Sequence, residues 1–119
     1  MFTTTIKLVG DLNSSKAIIL QQALEIAEQM KSKLPSEVIS MSGMSGKKYR
    51  SLINTLIEKT TDARYLEIGS WAGSTACSAM WKNNCTVVCI DNWSEFGGPR
   101  NDFFNNCLLY TSDAADDTP

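Results

Sequence analysis

The chain contains no histidine. That removes Ser-His and Cys-His nucleophilic catalysis and any Cys/His zinc site from these residues. Its four cysteines (Cys77, Cys85, Cys89 and Cys107) include no Cys-x-x-Cys pair, so they read as free thiols in a reducing compartment rather than a disulfide framework. No stretch approaches the ~18 apolar residues of a membrane span. The first ten residues, with Lys7 as their one basic side chain, lack the apolar centre of a signal peptide. Charge is also scarce in the sense that matters for partners. Eleven basic and thirteen acidic side chains give a net of −2, which offers no bulk attraction for nucleic acid or an anionic membrane.

What is present centres on residues 64–93, RYLEIGSWAGSTACSAMWKNNCTVVCIDNW. Tyr65–Ile68 is a short, mostly apolar run stopped by Gly69, as suits a buried parallel strand. Gly69 to Gly73 forms a turn, and Ser74 or Thr75 is placed to cap the following helix. Ala76, Ala79 and Met80 recur at helical spacing before Asn83-Asn84 ends the element. Thr86–Ile90 is a β-branched second strand that runs into Asp91. Strand, crossover helix and strand within about 30 residues make a βαβ unit. Such units bind ligands at the carboxyl ends of their strands, where Glu67, Gly69 and Asp91 lie.

Before this unit, Thr5–Leu8 alternates weakly and suits a small edge strand or a loose arm. Asn13, Ser14 and Ser15 are N-cap candidates for an amphipathic helix of about five turns ending at Leu34-Pro35. Residues 36–46 are rich in Ser, Gly and Met and read as a loop. A second helix then runs from the basic trio Lys47, Lys48 and Arg50 to Lys59. Three cations at a helix start oppose its dipole, which hints at a ligand. After Asp91, Gly97-Gly98 permits a turn and Pro99 can open a helix containing Asn101–Phe104.

The segments LEIGSWAGST and VVCIDNW resemble the first two motifs of class I S-adenosylmethionine-dependent methyltransferases, in the macrocin O-methyltransferase-like branch. Glu67, Gly69 and Gly73 match the first motif and Asp91 the second, while Trp71 stands where many members have glycine. Residues 43–50 and 91–106 resemble segments that flank the nucleoside site, so the resemblance spans roughly 43–106. It implies an α/β fold, the start of a Rossmann-like doubly wound parallel sheet. It also implies methyl transfer from S-adenosylmethionine to a small-molecule acceptor; with neither a signal peptide nor a span legible in the sequence, the expected location is cytoplasmic. Glu67 would meet the methionyl ammonium. Gly69 and Gly73 would let the backbone approach, Ser70 and Trp71 of the same turn would also border the cofactor, and Ser74 and Thr75 would offer donors to the carboxylate. Asp91 would accept from the ribose hydroxyls, with Asn92 and Trp93 bordering the adenine. The same resemblance lays residues 43–50 over the ligand, with Tyr49 and Arg50 as contacts. No catalytic residue and no metal ligand is expected, because a base for the acceptor would come from later strands.

A complete enzyme of this kind needs about 200 residues, so the sequence reads as an N-terminal part. Residues 1–62 form a helical segment and 63–106 the first βαβ unit. Residues 107–119 form a non-native tail, because Cys107–Asp116 (CLLYTSDAAD) resembles the read-through of a transposase sequencing adaptor. Without Asp113, Asp116 and Asp117 of that tail the net charge moves from −2 to +1. A sheet of two strands is expected to leave unpaired edges and an uncovered apolar face. Two other functions fit parts of the pattern. One is a nicotinamide-dependent oxidoreductase, weakened because the turn reads GSWAGS rather than GxGxxG. The other is a short non-catalytic binding protein.

Overall fold

A computed structural model describes residues 5–94 and 98–110. The order of elements is α1 (Ser15–Glu28), α2 (Ser36–Ile39), α3 (Lys47–Lys59), β1 (Arg64–Ile68), α4 (Ser74–Met80), β2 (Thr86–Ile90) and α5 (Arg100–Tyr110). Thr5–Leu8 belongs to no strand, so the loose arm describes it. Residues Glu95, Phe96 and Gly97 of the expected loop, and 111–119 of the expected tail, lie outside the described residues. The tail's first four residues, Cys107–Tyr110, continue helix α5. Among the described residues no helix is long and apolar enough to cross a membrane.

β1 and β2 pair in parallel, with Leu66 opposite Val88 and Ile68 opposite Ile90. The intervening α4 is the crossover, so the expected strand–helix–strand unit is present as a mixed α/β arrangement. The two faces of this sheet differ sharply. Tyr65, Glu67, Val87 and Cys89 fall on the side that is at least half covered. Leu66, Ile68, Val88 and Ile90 are each more than half exposed. The side chains of a strand alternate, so one uncovered face leaves this aliphatic set open while the set with Tyr65 and Glu67 is enclosed.

α1 is capped at its start by Ser14, whose Oγ accepts from the Ala17 amide at 3.2 Å. It ends earlier than expected, at Glu28. Met30 adopts φ 53°, its amide donates to Ala27 O, and Lys31 N donates to Ile26 O. Those paired bonds are a Schellman closure with methionine in the position glycine prefers. α3 lies between α1 and α4, and its best-buried side chains are Arg50, Ser51, Asn54 and Thr55. Leu52, Ile53, Leu56 and Ile57 of the same helix are only partly covered.

This polar face is hydrogen-bonded throughout, as burial requires. Asn54 donates to Ser78 O and Trp81 O, and Asn83 donates to Asn54 O and Ala79 O. Lys33 reaches both amide oxygens and Glu58. The network ties the segment after α1 to α3 and to the end of α4. It anchors the far end of α4, the helix that the glycine turn leads into.

Candidate functional site

β1 hands over to the turn at Gly69, whose amide still pairs with Ile90 O at 2.7 Å. The chain then reverses by three left-handed residues: Gly69 (φ 84°), Trp71 (φ 48°) and Gly73 (φ 94°). Gly73 N donates to Ser70 O at 2.8 Å and closes the turn. Gly73, not Ser74 or Thr75, occupies the N-cap of α4, and it makes no side-chain cap bond. A Cβ there would stand 3.1 Å from the Phe103 ring, so position 73 is held to glycine by both backbone and neighbour. Ser74 is buried instead, and Thr75 Oγ1 donates to Ser45 Oγ at 2.7 Å. At seven residues, α4 is also too short for an appreciable dipole of its own.

Asp91, at the end of β2, clamps this turn. Its Oδ2 accepts from Trp71 N at 2.8 Å and its Oδ1 from Trp93 N at 2.7 Å. These two backbone bonds, Trp71's first, hold the Asp91 carboxyl below its usual range.

The turn, the Asp91-Asn92 strand end and the segment Ser42–Ser45 enclose a cavity of about 570 Å³. Small-molecule sites generally span about 300–1,000 Å³. Seven of the residues expected at a binding site line it: Gly69, Ser70, Trp71, Ser74, Thr75, Asp91 and Asn92. Glu67, Gly73 and Trp93 do not. Gly73 is the cap behind the wall. Trp93 turns away onto α5, with its ring 5.3 Å from Phe103 and 6.3 Å from Phe104.

Glu67 stands behind Ser70. Tyr65 Oη donates to Glu67 Oε1 at 2.7 Å, while Glu67 Oε2 and Ser70 Oγ are buried without hydrogen-bond partners. Burial pushes the Glu67 carboxyl above its ordinary value, against the easing effects of the Tyr65 bond and the nearby Ser70 hydroxyl. Burial likewise raises Tyr65, and the Glu67 bond adds to it, so the phenol stays protonated. The groups around this carboxylate are Tyr65 and the thiols of Cys77, Cys89 and Cys107. None of them is a cation.

Ser42–Ser45 was legible only as a loop beside the ligand. The structure makes it the opposite wall, preceded by the one-turn α2, whose Val38 is fully buried. The agent is Arg50. Expected as a ligand contact, it is 2% exposed and points into its own loop. Its guanidinium donates to Val38 O, Ile39 O, Met41 O, Gly43 O, and both the carbonyl and the hydroxyl of Ser45. Tyr49 is half exposed and lies outside the cavity lining. Lys48 pairs with Glu28 across the surface at 2.8 Å. Gly43 packs directly on Ser74, where any Cβ would overlap the Ser74 hydroxyl.

Comparison with family models, with curated proteins and with solved structures finds no significant match to this chain.

Proposed function

We propose that the chain carries the S-adenosylmethionine-binding part of a class I methyltransferase that acts on a small molecule, built on the start of a Rossmann-like doubly wound sheet. The observation that carries this reading is the unpartnered, buried Glu67 oxygen at the foot of a left-handed glycine turn, beside a cavity bordered by the Asp91 carboxylate. A buried carboxylate with a free oxygen, and with no cation paired to it among the described residues, suits an ammonium group. The parallel β1–α4–β2 order supports the same reading, because ligands of such sheets sit at the strand ends.

The residues present fit the cofactor's three parts. Glu67, behind Ser70 in the cavity wall, suits the ammonium, and the Asp91 carboxylate suits a pair of ribose hydroxyls. Met44 and Trp71 supply apolar wall for the base. Bound there, the cofactor supplies a methyl group on a cationic sulfonium. The chain's own part is to hold and orient the ligand and to exclude water from it. Trp93, expected against the adenine, instead braces the turn from outside.

Calorimetric titration of the chain with S-adenosylhomocysteine and with reduced nicotinamide dinucleotide tests the assignment. Binding of the first and not the second is expected, with binding lost in Asp91→Ala. Binding of the dinucleotide alone would transfer the site to an oxidoreductase.

A further inference from the structure

Residues 36–45 form a unit with few ties to the rest of the chain. Among the described residues, their backbone–backbone hydrogen bonds all close within positions 35–41. Side-chain bonds from outside come from two groups. The Arg50 guanidinium donates to acceptors on Val38, Ile39, Met41, Gly43 and Ser45, and Thr75 Oγ1 donates to Ser45 Oγ at 2.7 Å. Val38 is the unit's one fully buried side chain. The two ends are alike: Pro35 and Gly46 are both extended, at φ −75° and ψ 162°, and neither makes a side-chain cap bond. A Cβ at Gly46 would meet nothing within 4 Å, so the chain has room to turn there.

Charge keeps the open and closed states of this unit near balance. The ion pairs among the described residues are Lys33–Glu58 and Lys48–Glu28, so the bonding partners of Arg50 are neutral oxygens. Closing the unit takes the guanidinium out of water, and burial holds its pKa below the ordinary arginine value. Opening breaks its hydrogen bonds but returns a full charge to water, which offsets much of their loss. The same unit supplies Ser42, Gly43, Met44 and Ser45 to one wall of the cavity, with Gly43 seated on Ser74 of α4.

We propose that residues 36–45 are a hinged flap, latched by Arg50, whose opening admits and releases the ligand of the cavity. This requires the cavity to be the ligand site, whatever the ligand is. Arg50 is a positioning residue: it holds the flap shut from behind.

Iodoacetamide labelling of a Val38→Cys chain, read by peptide mass, tests the flap without any ligand. Cysteine packs as a small apolar side chain at this buried position, while Cys77, buried on α4, reports lifting of that helix in the same molecules. Position 38 should react roughly tenfold or more faster than Cys77, because local openings cost less than larger ones. Arg50→Lys, which loses the fork, should speed position 38 by about a further tenfold and leave Cys77 unchanged. Equal rates at the two positions overturn the flap, since it would then move only with α4. A rise at both in Arg50→Lys overturns the latch.

A clamp gives a second test that does not depend on position 38. Ser45→Cys with Thr75→Cys places thiols where hydroxyls stand 2.7 Å apart, and oxidised glutathione closes them into a disulfide. S-adenosylhomocysteine should enter the reduced form and be slowed at least tenfold by the clamp. Equal association rates in the two forms overturn the gate. Binding to neither form removes the methyltransferase reading, and the ratio of position 38 to Cys77 then decides the flap alone.

Discussion

The indole nitrogen of Trp93 donates to the backbone carbonyl of Trp71 at 2.8 Å. The two residues also share Asp91, which accepts from both of their amides. Each is left-handed, at φ 52° and φ 48°, a conformation that costs a bulky side chain roughly 1–2 kcal/mol. The three contacts together hold two strained residues against each other across the mouth of the parallel strands.

Breaking one contact should loosen the brace without removing its apolar packing. Trp93→Phe keeps a ring against Phe103 and loses the indole N–H. A destabilisation of about 1 kcal/mol is expected in urea unfolding followed by circular dichroism. Unchanged stability would mean that the bond to Trp71 carries no weight.

Glu67→Gln should raise stability at neutral pH while weakening ligand binding. The folded-state pKa of Glu67 lies above the unfolded one, so its contribution is favourable at low pH and declines as pH rises through the folded value. The variant removes that decline, and its thermal midpoint should flatten between about pH 4 and neutrality. The same change takes away the charge expected to meet an ammonium. Loss of stability and of binding together would mark Glu67 as structural.

Gly43→Ala tests the contact between the loop wall and α4. The added methyl overlaps Ser74, and a cost of about 1–3 kcal/mol is expected from overpacking. The double variant Gly43→Ala with Ser74→Gly should recover part of it. A cycle of the four proteins gives the coupling directly.

Met30→Gly should stabilise the chain by about 0.5–1 kcal/mol, because glycine adopts the left-handed closing position of α1 without strain. Thermal unfolding of the single variant reads this out.

The open sheet face makes a colloidal prediction. Leu66, Ile68, Val88 and Ile90 are adjacent in register and more than half exposed. Such a patch, flanked by unpaired strand edges, promotes association. Ile68→Thr with Ile90→Lys should reduce concentration-dependent light scattering. Scattering that does not change would place the association elsewhere.

The sequence was most readable where local rules act alone. Thr86–Ile90 has the expected bounds, β1 begins one residue earlier at Arg64, and Ser14 caps α1. Each follows from a short run and its flanking residues. Arg50 shows where local reading stops. Its spacing placed it at a helix start with two lysines, and nothing nearby indicates that six acceptors from residues 38–45 would draw it inward. The Ser/Gly/Met loop similarly hid α2, since one buried valine does not make a periodic signal. α3 has the bounds its sequence implies, but which of its faces turns inward is not a local matter. Asn54 and Asn83, paired across 29 positions, are what fix its rotation. Trp93 closely follows Asp91, which suggests a ligand wall, but the left-handed backbone at Trp93 goes with a ring packed on α5.

The thiols near Glu67 give the chain a built-in clock. Cys77 has no solvent exposure, and its contact with Cys107, followed by burial, pushes its pKa up, so it is inert while α4 stays docked. Alkylating reagents therefore reach it only in molecules where α4 has lifted. At saturating reagent, its labelling rate counts individual openings of the crossover helix; at low reagent, it reports their equilibrium population. A ligand that grips the glycine turn would slow that clock, so occupancy of the cavity is readable in the mass of one buried sulfur.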